Sequence, residues 1–157
     1  MKWIVIILLI VTIMLVAKGL SQQYKDKHLF YVNLQSFFKQ LKLNLSFKQD
    51  KIENFIDSFE ADIQFKSFLN CYKLFLQGNE NAFEGLKVID SNEIVELNQM
   101  MKSIGCHDTK SEIEQLDSFI ERINLKLEKT REDKQKLCPL IIKLSLLFAI
   151  AVGILLI

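Results

Sequence analysis

The chain predicts an all-α fold: an antiparallel helical bundle between an N-terminal and a C-terminal transmembrane helix. Three observations carry this prediction. One Pro and five Gly are too few for an all-β sandwich, which needs a turn about every 8–12 residues. Apolar runs occupy both ends. Between them, apolar residues recur at steps of three and four, the period of an amphipathic helix. The length of 157 residues suits one domain of ordinary size, and half of the residues are apolar, which excludes wholesale disorder.

At the start, Trp3 to Ala17 reads WIVIILLIVTIMLVA, fifteen residues without a charge. Lys2 and Lys18 bracket the run, and their long stems carry the ammonium groups toward the interfaces. The alternative is a cleaved signal peptide, with Ala17-Lys18-Gly19 as an imperfect small-x-small site. Either way, the segment enters a membrane. At the other end, Pro139 to Ile157 is nineteen residues, about 28 Å as a helix, which matches the hydrocarbon thickness. Lys143 is the only charge there and is placed to snorkel. Pro139 would cost little in a first helical turn, where its missing N–H lacks a partner anyway, and is expected to mark where the span begins or bends. Ala149 and Gly153 form a small-xxx-small pair, a pattern common by chance in spans of this composition. The expected divisions are 1–20, 21–136 and 137–157.

The formal net charge of +1 leaves no excess to neutralise a phosphate backbone, so nucleic acid is not an expected partner. Its distribution says more. Residues 18–27 carry three Lys and one Asp, and residues 122–136 carry four Lys and two Arg against two Glu and one Asp. Residues 28–121 hold nine Lys against fifteen Asp and Glu. Basic collars therefore flank an acidic body, with Lys134 and Lys136 joining Lys2, Lys18 and Lys143 as membrane-flanking residues. Positive charge near span ends favours the cytoplasmic side, so the body is expected to face the cytoplasm.

Within the body, Phe30, Leu34, Phe37, Phe38, Leu41 and Leu45 share one face of a helix expected from about His28 to Leu45. Ser46 and Gln49 have the spacing of a capping box, which would open a second helix with Ile52, Phe55, Ile56 and Phe59 inward. A third pattern runs through Ile63, Phe68, Leu69, Tyr72, Phe75 and Leu76 to a stop at Gly78. Phe83, Leu86 and Ile89 offer one short amphipathic stretch. Asp90 to Glu93 reads as a capping box before a helix that buries Ile94, Leu97, Met101 and Ile104 and ends at Gly105. Thr109 to Glu112 reads as another, opening a long helix with a narrow coiled-coil-like seam of Ile113, Leu116, Ile120, Ile123 and Leu127. That seam turns polar at Thr130 and Lys134. The twelve Phe fall mostly on these stripes and are expected to fill the core.

Signals for chemistry are sparse. The glycines build neither a G-x-x-x-x-G-K-[ST] nor a G-x-G-x-x-G loop. Cys71, Cys106 and Cys138, separated by 35 and 32 residues, have neither metal-ligand nor dense disulfide spacing and suit a reduced compartment. Cys106-His107-Asp108 holds the residue types of a thiol site, but neighbours in one loop rarely align as nucleophile, base and orienter. Asp108 is better placed to start the helix after it. His28 and His107 are the only histidines. No catalytic, cofactor-binding or metal-binding residue is expected, so the chain reads as non-enzymatic. Glu53, Asp57 and Glu60, and Glu93 with Glu96, lie at helical spacing and suit either a solvated face or a basic partner. Glu93, Glu96, Gly105, His107 and Asp108 are the candidates for partner docking.

An N-terminal span, a helical body and a C-terminal span, with Leu34-Gln35-Ser36, the turn Ile104-Gly105-Cys106-His107-Asp108 and the apolar Ile154-Leu155-Leu156-Ile157, resemble the stage III sporulation protein AB family. Ile104 to Asp108 is similar to the family's Leu-Gly-x-x-Asp turn. Its usual Glu-Ile-x-Tyr, followed by a Pro-Leu turn, appears here as Gln40-Leu41-Lys42-Leu43 and Phe47-Lys48. The family is itself similar to cytoplasmic domains of the F-type platform protein of type II secretion. The resemblance implies a scaffold subunit of a secretion-like channel complex between mother cell and forespore. Its partners would be the bilayer, a separate stage III sporulation AA-type ATPase, other subunits of the complex and further copies in an oligomer. The competing reading, which follows from signal cleavage, is an exported helical tether anchored by its tail.

Overall fold

The computed structural model describes residues 2–48, 51–106 and 108–156, with side chains for 7–47, 51–63, 65–106 and 108–154. The elements run α1 (Lys2–Leu43), a π-helical turn (Asn44–Lys48), α2 (Ile52–Ser58), α3 (Ile63–Leu76), a 3-10 turn (Ala82–Gly85), α4 (Ser91–Ser103) and α5 (Thr109–Leu156). No strand occurs among the described residues, and the protein is all-α as its sequence predicts.

Several expected boundaries move. The N-terminal apolar run and the helix expected at His28 form one helix of 42 residues. Residues 18–27 contain one Gly and no Pro, so nothing there stops a helix from propagating. At the far end α5 runs for 48 residues, and Pro139 lies inside it rather than in a first turn. There it withholds the N–H that the Gln135 carbonyl would otherwise accept. Ser46 does not open a helix. Its hydroxyl donates back to the Lys42 carbonyl at 2.8 Å, a local bond that competes with capping, and α2 begins at Ile52. Gln49, the other half of that expected box, lies outside the described residues.

The chain divides into two compact units, one of Leu29–Leu127 and one of Met1–His28 with Glu128–Ile157. In the first, Phe37, Phe38, Phe65, Phe68, Tyr72 and Phe83 are all fully buried. Phe37 touches the rings of Phe38, Phe55, Phe59, Phe65, Phe68 and Tyr72, at centroid distances from 5.3 to 6.2 Å. Most of these contacts are edge-on or tilted, which matches the ring quadrupoles and adds about 0.5–1.5 kcal/mol per pair beyond area burial. The expected stripe of α1 is in this core, as are Phe83, Leu86 and Ile89. Two residues assigned to the α3 stripe are not: Ile63 is 85% exposed and Leu76 39%. They stand at the first and last positions of the helix, and Phe65 takes the inward position instead. Gln35 donates to Asn124, and Lys42 pairs with Asp117 at 2.6 Å. Seven residues up α1 thus match seven down α5, so the two helices are antiparallel in this unit.

In the other unit Cys138 Sγ donates to the Ser21 carbonyl at 3.4 Å, and His28 Nδ1 lies 3.3 Å from Thr130 Oγ1. Here too the helices are antiparallel. Among the described residues the buried ones are Ala17, Ser21, Thr130, Cys138 and Ala149, and all are small. Leu8, Leu15, Leu147, Phe148 and Ile154 are each more than 60% exposed. Helices α1 and α5 each contain a stretch long and apolar enough to cross a membrane, and only 11% of each stretch is buried.

Candidate functional site

Glu93 and Glu96 stand on the first turns of α4, where Asp90 and Glu93 form the expected capping box. The Asp90 N–H donates to Glu93 Oε2 at 3.0 Å. Both carboxylates also reach Lys126 of α5, Glu96 at 2.5 Å and Glu93 at 4.0 Å. Beneath them Tyr31 is buried, and its phenol bonds to Glu93. Burial first, then the charges of Glu93, Glu96 and Asp90, push the Tyr31 pKa well above its ordinary range. Tyr31, Glu93, Glu96, Arg122 and Lys126 line a recess of about 20 Å³ floored by Phe30, Leu34 and Leu97. Such a space holds about one water. The two glutamates therefore belong to an ionic and hydrogen-bonded cluster and are not a freely solvated patch.

The Gly105 turn is a separate feature. Gly105 has φ +84°, which an L side chain adopts only with strain, and it ends α4 as the sequence predicts. The box expected at Thr109 is not formed. Thr109 is already helical, and Asp108 caps α5 by accepting from the Ser111 hydroxyl at 2.6 Å and its N–H at 3.4 Å. These bonds hold the Asp108 carboxyl below its usual pKa. Glu112 accepts from the Gly105 N–H at 2.9 Å. It is only 3% exposed, and its Oε2 meets no hydrogen-bond partner among the described residues. The same carboxylate, second to burial, raises the pKa of Tyr72. Spacing alone assigns Glu112 to a capping box, and its burial is not visible in the sequence. Cys106 is exposed and donates to the Lys102 carbonyl at 3.3 Å. His107 lies outside the described residues.

The membrane-flanking lysines divide by surroundings. Lys18 and Lys143 are exposed. Lys136 pairs with Glu132 at 2.8 Å, a hydrogen bond that raises the lysine pKa and lowers that of the glutamate. Lys134 is half-buried beside His28. The side chain of Lys2 lies outside the described ones. Among the described residues no group of three or more His, Cys, Asp or Glu is placed to hold a metal ion. At the small-xxx-small pair Ala149 is buried, but a methyl group added at Gly153 would meet nothing within 4 Å.

Together these features define a class: an all-helical protein with one Phe-packed body and two helices whose apolar stretches are fit to cross a membrane. The chain belongs to the stage III sporulation protein AB family, whose model matches residues 2–157. That membership gives it a role in sporulation. No curated protein and no solved structure matches it.

Proposed function

We propose that the protein is a non-enzymatic platform in the cell membrane, crossing it twice and holding the Leu29–Leu127 body on the mother-cell cytoplasmic side. In this role it is a scaffold subunit of a secretion-like channel complex between mother cell and forespore. It docks the AA-type ATPase and neighbouring subunits and works as an oligomer. The observation that carries the reading is the pair of long helices with apolar stretches that remain exposed, in a chain of the stage III sporulation protein AB family. Basic collars on the body side of both stretches favour the cytoplasmic placement. Docking is assigned to the outer rim of α4, at Glu93 and Glu96, and to the turn from Gly105 to Asp108.

The native cysteines provide the topology test. Cys106 is exposed, Cys138 is buried, and Cys71 is half-buried with its thiol pKa raised by burial. An impermeant maleimide should label Cys106 only after the cell is opened. Labelling in intact cells would place the body outside and favour the exported tether. For docking, Val95 is 57% exposed and lies between the two glutamates in sequence. Val95→Arg should abolish co-purification with the ATPase while leaving the α4 cap and the Lys126 pairs intact. Undiminished co-purification would remove docking from this rim.

A further inference from the structure

Along α1, within the unit formed by the two chain ends, runs an open groove of about 540 Å³. Its lining changes character along the helix. Val11, Met14 and Leu15 form one end, whereas Lys18, Ser21 and Lys25 form the other, and Ile142 of α5 completes the lining. Met14, Lys18, Ser21 and Lys25 follow one another at steps of four, three and four, so they share one face of the helix. Lys18 and Lys25 stand about 10.5 Å apart along the axis, within reach of one group through their flexible stems. Neither is within 4.0 Å of a carboxylate among the described residues, and the nearby Asp26 accepts from the Gln22 amide at 2.7 Å. Between the lysines, Ser21 is 3% exposed, and its Oγ is buried with no partner among the described residues. An unpartnered hydroxyl in such a place costs free energy unless an occupant bonds it.

We propose that this groove is a binding site for one anionic phospholipid, its acyl chain along Val11, Met14 and Leu15 and its phosphate between Lys18 and Lys25, with Ser21 donating to a headgroup oxygen. An apolar trough that ends in two cations and a hydroxyl complements a molecule with a tail and one negative head. The inference rests on α1 entering a bilayer, and it adds selectivity for lipid charge to that placement.

The test uses the full chain in nanodiscs of equal parts phosphatidylglycerol and phosphatidylcholine with matched acyl chains, and native mass spectrometry of the lipid that stays bound after extraction. The intact chain should retain phosphatidylglycerol with a preference of about thirty-fold, as two lysines near a membrane surface supply. Lys18→Gln with Lys25→Gln should erase that preference. Met14→Trp, which fills the apolar end and keeps both charges, should reduce bound lipid of either kind. Helical circular dichroism checks that each variant is folded. Millimolar inorganic phosphate should not displace the lipid, and displacement would make this a free-phosphate site and overturn the proposal. Equal retention of the two lipids by the intact chain, unchanged preference in the lysine variant, or a lipid-free dimer would overturn it too. A chain that inserts but does not discriminate defeats the lipid site alone, whereas one that never enters nanodiscs defeats the membrane reading as well.

Discussion

Between Leu29 and Leu127 the buried side chains are mainly Phe, Leu and Ile, with Tyr and Met, whereas among the described residues the unit of the two chain ends buries Ala17, Ser21, Thr130, Cys138 and Ala149 and exposes Leu, Ile and Phe. The same two helices contribute to both units, so helix propensity does not explain the contrast. Solvent does. Water drives large apolar groups inward and rewards each buried ring. Hydrocarbon gives no such reward, and helices in it associate where small residues let their backbones approach. On that placement one sequence follows two packing rules, and the change falls near His28 on α1 and Glu128 on α5.

The sharpest way to break this comparison is to truncate one large apolar side chain in each unit. Phe37→Ala removes the centre of the aromatic cluster and should cost about 3–5 kcal/mol, read from denaturant or thermal unfolding of the full chain in detergent. Leu147→Ala acts on a residue 63% exposed, and its cost should stay within about 0.5 kcal/mol. Equal losses would mean that both units are packed by the same force. Bulk should act in the opposite sense. Ala149→Phe forces a large ring into a buried small site and should cost about 1–3 kcal/mol.

Polar contacts sharpen the account of the larger unit. Glu93→Lys removes a helix cap, the Tyr31 bond and a shared lysine at once, and should destabilise by about 2 kcal/mol. Adding Lys126→Glu should restore less than half of this, since it remakes an ion pair but not the cap. Full restoration would show that charge pairing dominates at this recess. Asp108→Ala should cost about 1 kcal/mol by uncapping α5.

Much of this fold is legible in the residues themselves. Phe30, Leu34, Phe37, Phe38 and Leu41 are all buried at 3% or less, because a stripe of five on one face has no other way to leave water. The stops at Gly78 and Gly105, both with positive φ, are legible for an equally local reason. What escapes is of two kinds. Helix continuity through residues 18–27 escapes because the change there from apolar to charged residues is a boundary of composition and not of backbone. Continuity past Pro139 escapes because a strong breaker is held inside a helix by turns on both sides of it. The cluster of Tyr31, Glu93, Glu96 and Lys126 escapes because its members come from three helices, and no spacing along the chain announces a contact made only on packing. Ser21 is of the second kind: a single hydroxyl in a polar stretch reads as surface until its burial is seen.

The smallest effect concerns His28, which belongs with the small-residue unit and bonds to Thr130 there. Burial, then the charges of Lys134 and Arg131, hold its pKa below the ordinary value of 6.5. The folded protein therefore binds this proton less readily than the unfolded chain. The stability tied to the neutral ring is complete above pH 6.5 and is lost as pH falls through that value toward the folded pKa. Thermal unfolding in detergent at about pH 7.5 and about pH 5.5, on either side of the histidine range, should show the wild type losing slightly more on acidification than His28→Gln. Solvent screening of a ring that is only part-buried keeps the difference small. Lys134→Gln should narrow it further, since one of the two cations opposing protonation is gone. An identical pH response in wild type and His28→Gln would assign the acid sensitivity to carboxylates of the acidic body, and the comparison between the units would then extend to charge as well as size.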